Sequence, residues 1–198
     1  MKNIIRKHSQ AVVAGILAIS ALLGGLQLAT TTAMAAERAV APEKSPPGDI
    51  PDSQVFVAYH SPLGFSLKVP EGWARTDRND GAKFADKYNA IDVAVSSASG
   101  APTAASVTNH EAADLVTAGR AVKLGAIKNV KLRSGPAILI VYSSNSEPNP
   151  VTSKQLRLEN NRYLIYRGGK LATINLSAPL GADNVDQWKL IADSFQWR

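Results

Sequence analysis

The chain has no cysteine among its 198 residues. That excludes disulfide staples, thiolate metal ligands and the lipobox cysteine of a diacylglyceryl anchor. Histidine is nearly as scarce, with only His8, His60 and His110. There is no G-x-S-x-G elbow, no P-loop and no G-x-G-x-x-G turn, so the usual sequence marks of a serine hydrolase or a nucleotide site are missing. No dense Lys/Arg cluster is interleaved with aromatics, and nucleic acid is not an expected partner. Asp and Glu number 16, mostly in turn or capping positions; paired carboxylates of the glycosidase kind stay open on sequence alone. No catalytic residue, cofactor or metal site is expected, and the chain does not read as an enzyme.

The N-terminus states where the protein goes. Lys2, Arg6 and Lys7 precede an uncharged, mostly apolar stretch from Ala11 to Ala29. Small and polar residues follow, and Ala33-Met34-Ala35 has the A-x-A form of a signal-peptidase site. Residues 1–35 are therefore expected to be a secretory signal peptide, cut after Ala35 or one residue later, and the protein to be secreted or periplasmic. The 19 apolar residues are also marginally long enough to span, so an uncleaved signal would be a membrane tether. Gly24-Gly25, Gln27 and the A-x-A site favour cleavage. Losing Lys2, Arg6 and Lys7 lowers the formal charge from +6 to +3.

Residues 36–54 hold Pro42, Pro46, Pro47-Gly48 and Pro51 with no apolar period, and read as a flexible linker. The domain is expected over 55–198. Phe65, Leu67 and Val69 alternate with polar residues, as do Ile91, Val93 and Val95, in the manner of half-buried strands. Asn79-Asp80-Gly81 is a turn, and Gly100 to Thr108 a loop of small residues. Asn109 is placed to cap a helix running to Ala118. Ala137 to Tyr142 is apolar on both alternations, which predicts a central strand covered on both faces. Asn160-Asn161 suggests a bulge or turn. Gly168-Gly169 marks a hairpin, and Val185, Trp188, Ile191, Ala192 and Phe195 fall on one face of a closing helix that ends near Trp197. The sum is an α+β fold, an α/β/α sandwich around a central antiparallel sheet of six to eight strands.

Three stretches carry a family resemblance. They are Gly64-Phe65-Ser66-Leu67-Lys68-Val69-Pro70-Glu71-Gly72-Trp73, the segment from Ala82 to Val95 with Phe84 and Ile91, and the C-terminal hairpin with the helix ending Ser194-Phe195. Together they resemble the PsbP/Mog-like superfamily over about Val55 to Trp197. The chain looks most like its exported bacterial branch of unknown function, in Gly181 to Trp188 and Ser194 to Trp197. The resemblance implies the fold and a habit of assembly or partner binding rather than catalysis. The photosystem role of photosynthetic PsbP does not transfer, because nothing matches its partner-contacting residues. The Mog branch's nuclear GTPase partner is incompatible with an export signal.

A few residues are weighed for chemistry. His110-Glu111-Ala112-Ala113-Asp114 departs from the HExxH zinc motif at its last ligand. An i, i+4 His/Asp pair is two ligands where a site needs three or four, and a capped helix explains the acids equally. Trp73, Trp188 and Trp197 form either a binding platform or core; Trp197 is the one expected to be exposed. Lys123, Lys128, Lys131 and Arg133 are either a steering patch for an anionic envelope component or a solvated strand face. The polar stretch Ser143 to Ser153 is the expected contact loop, together with an exposed sheet edge or helix face. Two functions follow as expectations. One is an exported non-enzymatic accessory domain that binds a protein or envelope component. The other is a small-ligand-binding protein or weak hydrolase with a pocket between sheet and helices, including His60 or His110.

Overall fold

The computed structural model describes residues 37–198; the expected signal peptide over 1–35 lies outside them. The chain runs through β1 (Phe56–Ser61), β2 (Phe65–Pro70), β3 (Ala74–Arg78), β4 (Gly81–Asp86) and β5 (Asn89–Ser97). Then come α1 (Ala104–Asn109), α2 (Glu111–Ala118), β6 (Lys123–Leu132), β7 (Gly135–Asn145), β8 (Arg157–Arg167) and β9 (Lys170–Pro179). It closes with α3 (Val185–Ser194) and the two-residue β10 (Gln196–Trp197). Seven strands form one antiparallel sheet in the order β3-β4-β5-β9-β8-β7-β6. A second sheet holds three strands, β1-β2-β10.

The doubly apolar run in β7 explains the layering. Ala137 and Leu139 join the larger core, with Ile91, Val93, Ile174 and Leu176 of the same sheet. Phe65, Leu67 and Val69 of β2 and Trp188, Ile191 and Ala192 of α3 close that core from above. Ile138, Ile140 and Tyr142 point the other way, into a smaller core closed by Val107 of α1 and Leu115 of α2. So the central sheet carries α3 and the small sheet on one face and α1 with α2 on the other. The α+β sandwich stands as expected.

The face under α1 and α2 is covered only in part, and this accounts for the polar residues inside its strands. Asn160 and Asn161 make neither bulge nor turn, because β8 pairs continuously with β7 and β9 through them. Asn160 donates to Ser144 Oγ at 3.0 Å, and Tyr142 donates its hydroxyl to Asn175 Oδ1 at 2.8 Å. Asn160 and Tyr142 thus keep partners for their buried polar groups, and the cost of burying them is offset.

Several boundaries differ from expectation. Residues 104–109 form α1 rather than a loop; Thr103 caps it, with reciprocal bonds between Thr103 and Ser106. His110, not Asn109, precedes α2. The last helix ends at Ser194, and Gln196–Trp197 pairs with Ser66 and Phe65 of β2. Val185 lies at its exposed edge, 73% accessible.

The largest correction concerns residues 37–54, which are not a free linker but dock in order along one end of the strands. Glu37 accepts hydrogen bonds from Asn145 Nδ2 at 2.8 Å and Gln155 Nε2 at 2.6 Å, and pairs with Arg120 at 3.1 Å. These partners hold its carboxyl below the usual range: the Asn145 bond first, then Gln155, with a smaller pull from Arg120. Val40 donates to Asn145 Oδ1, Glu43 pairs with Lys154, and Asp52 accepts from Gln187. Ile50 is buried in the main core. Few apolar groups are involved, and side-chain amides bonded to backbone do the anchoring, so no period reveals the attachment.

Candidate functional site

One recess lies between α3 and the β6–β8 half of the main sheet. It is a cleft of about 490 Å³. Strand and helix periodicity both show in its lining. Lys128, Val130 and Leu132 come from β6 at two-residue steps, and Glu159, Asn161 and Tyr163 from β8 likewise. Val185, Trp188, Lys189, Ala192 and Asp193 come from α3 at three- and four-residue steps. Register places Leu139 of β7 opposite both Lys128 and Tyr163, so these three make one rank across the floor.

The floor is apolar and aromatic. Leu139, Tyr163, Trp188 and Ala192 are buried core residues whose edges face the cleft. The rim is charged: Lys128, Lys131 and Lys189 against Glu159 and Asp193. Asp193 is hydrogen-bonded by Lys189 one helical turn away. Burial pushes the Tyr163 phenol up, a bond with Asn161 pulls it back and the Asp193 charge adds a small upward push. Burial likewise raises the Glu159 carboxyl, offset in part by the Gly181 backbone N–H. A ligand with a flat apolar body and an acidic edge matches this distribution of surface.

Glu159 makes the cleft pH-sensitive. Its carboxyl sits above the ordinary range in the folded state, so the folded protein holds its proton to higher pH than the unfolded chain. Stability from this group therefore falls as pH rises through the window above the unfolded value. Glu159→Gln should melt above the wild type at pH 7, with the difference closing by pH 4. Thermal unfolding across that range checks it; equal melting temperatures throughout would remove the assigned burial effect.

The residues singled out in the sequence scatter. Lys128 and Lys131 reach the cleft, while Arg133 and His60 line a separate groove on the small sheet. Lys123 lines neither. His110 and Asp114 are both exposed, and the elements that carry His60 and His110 cover opposite faces of the main sheet. Among the described residues no three His, Asp or Glu groups converge as for a metal ion. Trp188 is core and lines the cleft floor; Trp73 is half-buried against the core. Trp197 is also half-buried, with its ring edge-on to Phe195 at 5.3 Å, rather than exposed. Ser143 to Asn145 belong to β7. The rest of the expected contact loop is tied down by Arg120–Glu147 and Lys154–Glu43, leaving Val151 at its tip. Glu159, Asn161 and Tyr163 were missed because each reads as an ordinary strand residue. Only the register across three strands brings them to α3.

No protein-family model matches the chain, and no curated protein matches its sequence. Solved structures do match in shape. Cyanobacterial PsbP from Synechocystis sp. PCC 6803 superposes with a TM-score of 0.53 at 18% identity, over 76% of this chain and 98% of that one. The chain has the PsbP/Mog-like fold. Two further PsbP/Mog-like neighbours are more distant. The Saccharomyces cerevisiae Ran-binding protein Mog1p gives 0.49 at 11% identity, over 72% of this chain and 95% of that one. LpqN of Mycobacterium tuberculosis, a protein involved in cell envelope biogenesis, gives 0.46 at 16%, over 73% and 91%. At these identities the likeness to PsbP concerns the fold alone.

Proposed function

We propose that this is an exported, non-enzymatic accessory domain that binds a protein or other component of the cell envelope through the cleft beside α3. The secretory pattern of the N-terminus supports the location. The observation that carries the binding role is the cleft itself, an aromatic floor supplied by the core and ringed by side chains of both charges. Aromatic anchors within a charged rim are the usual make-up of an interface centre. The test is a photo-crosslinking residue at Val185, on the cleft's open edge, in protein made and exported by its own cells. One saturable adduct is expected, lost when Lys128 and Lys131 are both changed to Glu. Absence of a saturable adduct, or one indifferent to the lysines, sinks the reading.

The cleft's volume favours one second reading. About 490 Å³ falls within the range of small-molecule sites, roughly 300–1,000 Å³. On that reading the occupant is a small ligand. A metabolite would then raise the melting temperature without any protein partner, by about 2.7 kcal/mol of stabilisation at one hundred times its dissociation constant.

A further inference from the structure

We infer that the outer face of the small sheet is a phosphate-binding groove, separate from the cleft. It has a volume of about 570 Å³ and lies on the other side of α3's polar ridge. Asp186, Lys189, Leu190, Asp193 and Ser194 form its helical wall, again at three- and four-residue steps. Its floor is set by register, with Gln196 of β10 and His60 of β1 both opposite Ser66 of β2. Lys68 follows two residues along β2, and its backbone N–H donates to Ser194 Oγ at 2.7 Å, fixing the wall to the floor.

Charge in this groove is lopsided. Lys68, Arg133, Lys189 and Arg198 line it against the side chains of Asp186 and Asp193. Asp193 is engaged by Lys189. Among the described residues, Lys68, Arg133 and Arg198 have no carboxylate within 4.0 Å. The chain as a whole is only mildly basic once the signal is discounted, so this excess is local.

The donors are also placed for an oxyanion. Arg198 bonds Ser66 Oγ through Nε at 3.2 Å, which steadies the guanidinium and leaves its two terminal nitrogens unspent. Ser66 is 6% exposed, and among the described residues nothing accepts its hydroxyl proton. Donors therefore approach from the sheet floor, from the β6–β7 turn at Arg133 and from α3. That three-sided arrangement suits a tetrahedral group with several free oxygens better than a planar carboxylate. The groove exceeds the size of one phosphate, leaving room for the substituent that carries it.

Amide shifts of Ser66, Lys68 and Gln196 are followed by NMR as the exported protein is titrated with inorganic phosphate. Flotation with phosphatidylglycerol vesicles is compared with phosphatidylcholine vesicles. Saturable shifts at these three amides are expected. Lys68→Glu with Arg133→Glu, both at exposed positions, should weaken the phosphate dissociation constant by about tenfold or more. Lys123→Glu with Lys170→Glu makes the same charge change outside the groove and should leave it within about twofold. Selective flotation with phosphatidylglycerol, lost in the groove variant, identifies a lipid headgroup as the source. Phosphate saturation without flotation identifies a soluble phosphate ester. The inference is overturned if neither probe binds, if the groove variant binds like the wild type, or if the control pair loses as much.

Discussion

Gly81→Ala should cost the domain at least about 3 kcal/mol, although the glycine has no unusual backbone angle. The reason is proximity. Gly81 opens β4 directly opposite Ala94 of β5, just after Asp80, whose C=O accepts from the Val95 N–H of β5 at 2.7 Å. A Cβ at this position would stand 1.8 Å from the Val93 carbonyl oxygen and 2.9 Å from Ala94 Cα. Both obstacles are backbone, so no side chain can rotate away, and the β4–β5 ladder has to part. Arg78, which donates to Asp80 through Nε and to Asp92 of β5 through both terminal nitrogens, would be displaced with it. Gly72→Ala provides the contrast: its φ of +85° is unfavourable for alanine but nothing lies within 4 Å, so about 1–2 kcal/mol is expected. Urea unfolding of the two variants decides. If Gly81→Ala is no worse than Gly72→Ala, the close approach of the strands is wrong.

Asn184→Ala should cost about 2–4 kcal/mol and release residues 44–53 from the domain. Asn184 occupies the position before α3 that normally caps the helix, but its side chain makes no such bond. Oδ1 instead accepts from Ile50 N–H at 2.7 Å, and Nδ2 donates to Gly48 C=O at 3.0 Å. Asn184 is 2% exposed and Ile50 4%, so alanine strands the buried Ile50 N–H and the half-buried Gly48 carbonyl at once. At the other end, the Asn145 amide is fully used: Oδ1 accepts from Val40 and Arg157, and Nδ2 donates to Glu37 and Arg38. The Asn184 variant should show early proteolysis within residues 44–53 and fast exchange of the Ile50 amide, with the Glu37 end still docked. An unchanged Ile50 exchange rate would sink the assigned anchoring role.

Legibility in the sequence followed side-chain burial. β7 was readable because both of its alternations are apolar and both of its faces are covered. The β8–β9 hairpin was readable because Gly168 and Gly169 take φ of +54° and +82°, conformations other residues resist. β3 was invisible, since all five of its side chains are exposed and only main-chain pairing with β4 defines it. α1 was hidden by its small residues and by a capping box that uses Ser106 where Glu or Gln is usual. The candidate cleft was illegible for a further reason. Lys128, Glu159, Tyr163 and Lys189 each fit a solvated or core position in their own element. Only three-strand register and the seating of α3 bring them together.

The docked N-terminal segment and β10 also bear on when the chain can fold. Ile50 bonds a side chain 134 residues further on, and Arg198 one 132 residues back. Both closures join opposite ends of the domain, and contacts of such sequence separation raise contact order, which slows folding. A chain emerging from its amino terminus has β1 and β2 early, but lacks the anchor for Ile50 and β10 until residues 184–197 appear. Until then the β1–β2 hairpin has neither its third strand nor the helix that buries Phe65 and Leu67. The β1–β2 hairpin therefore completes its packing only after the residues of α3 and β10 have been made.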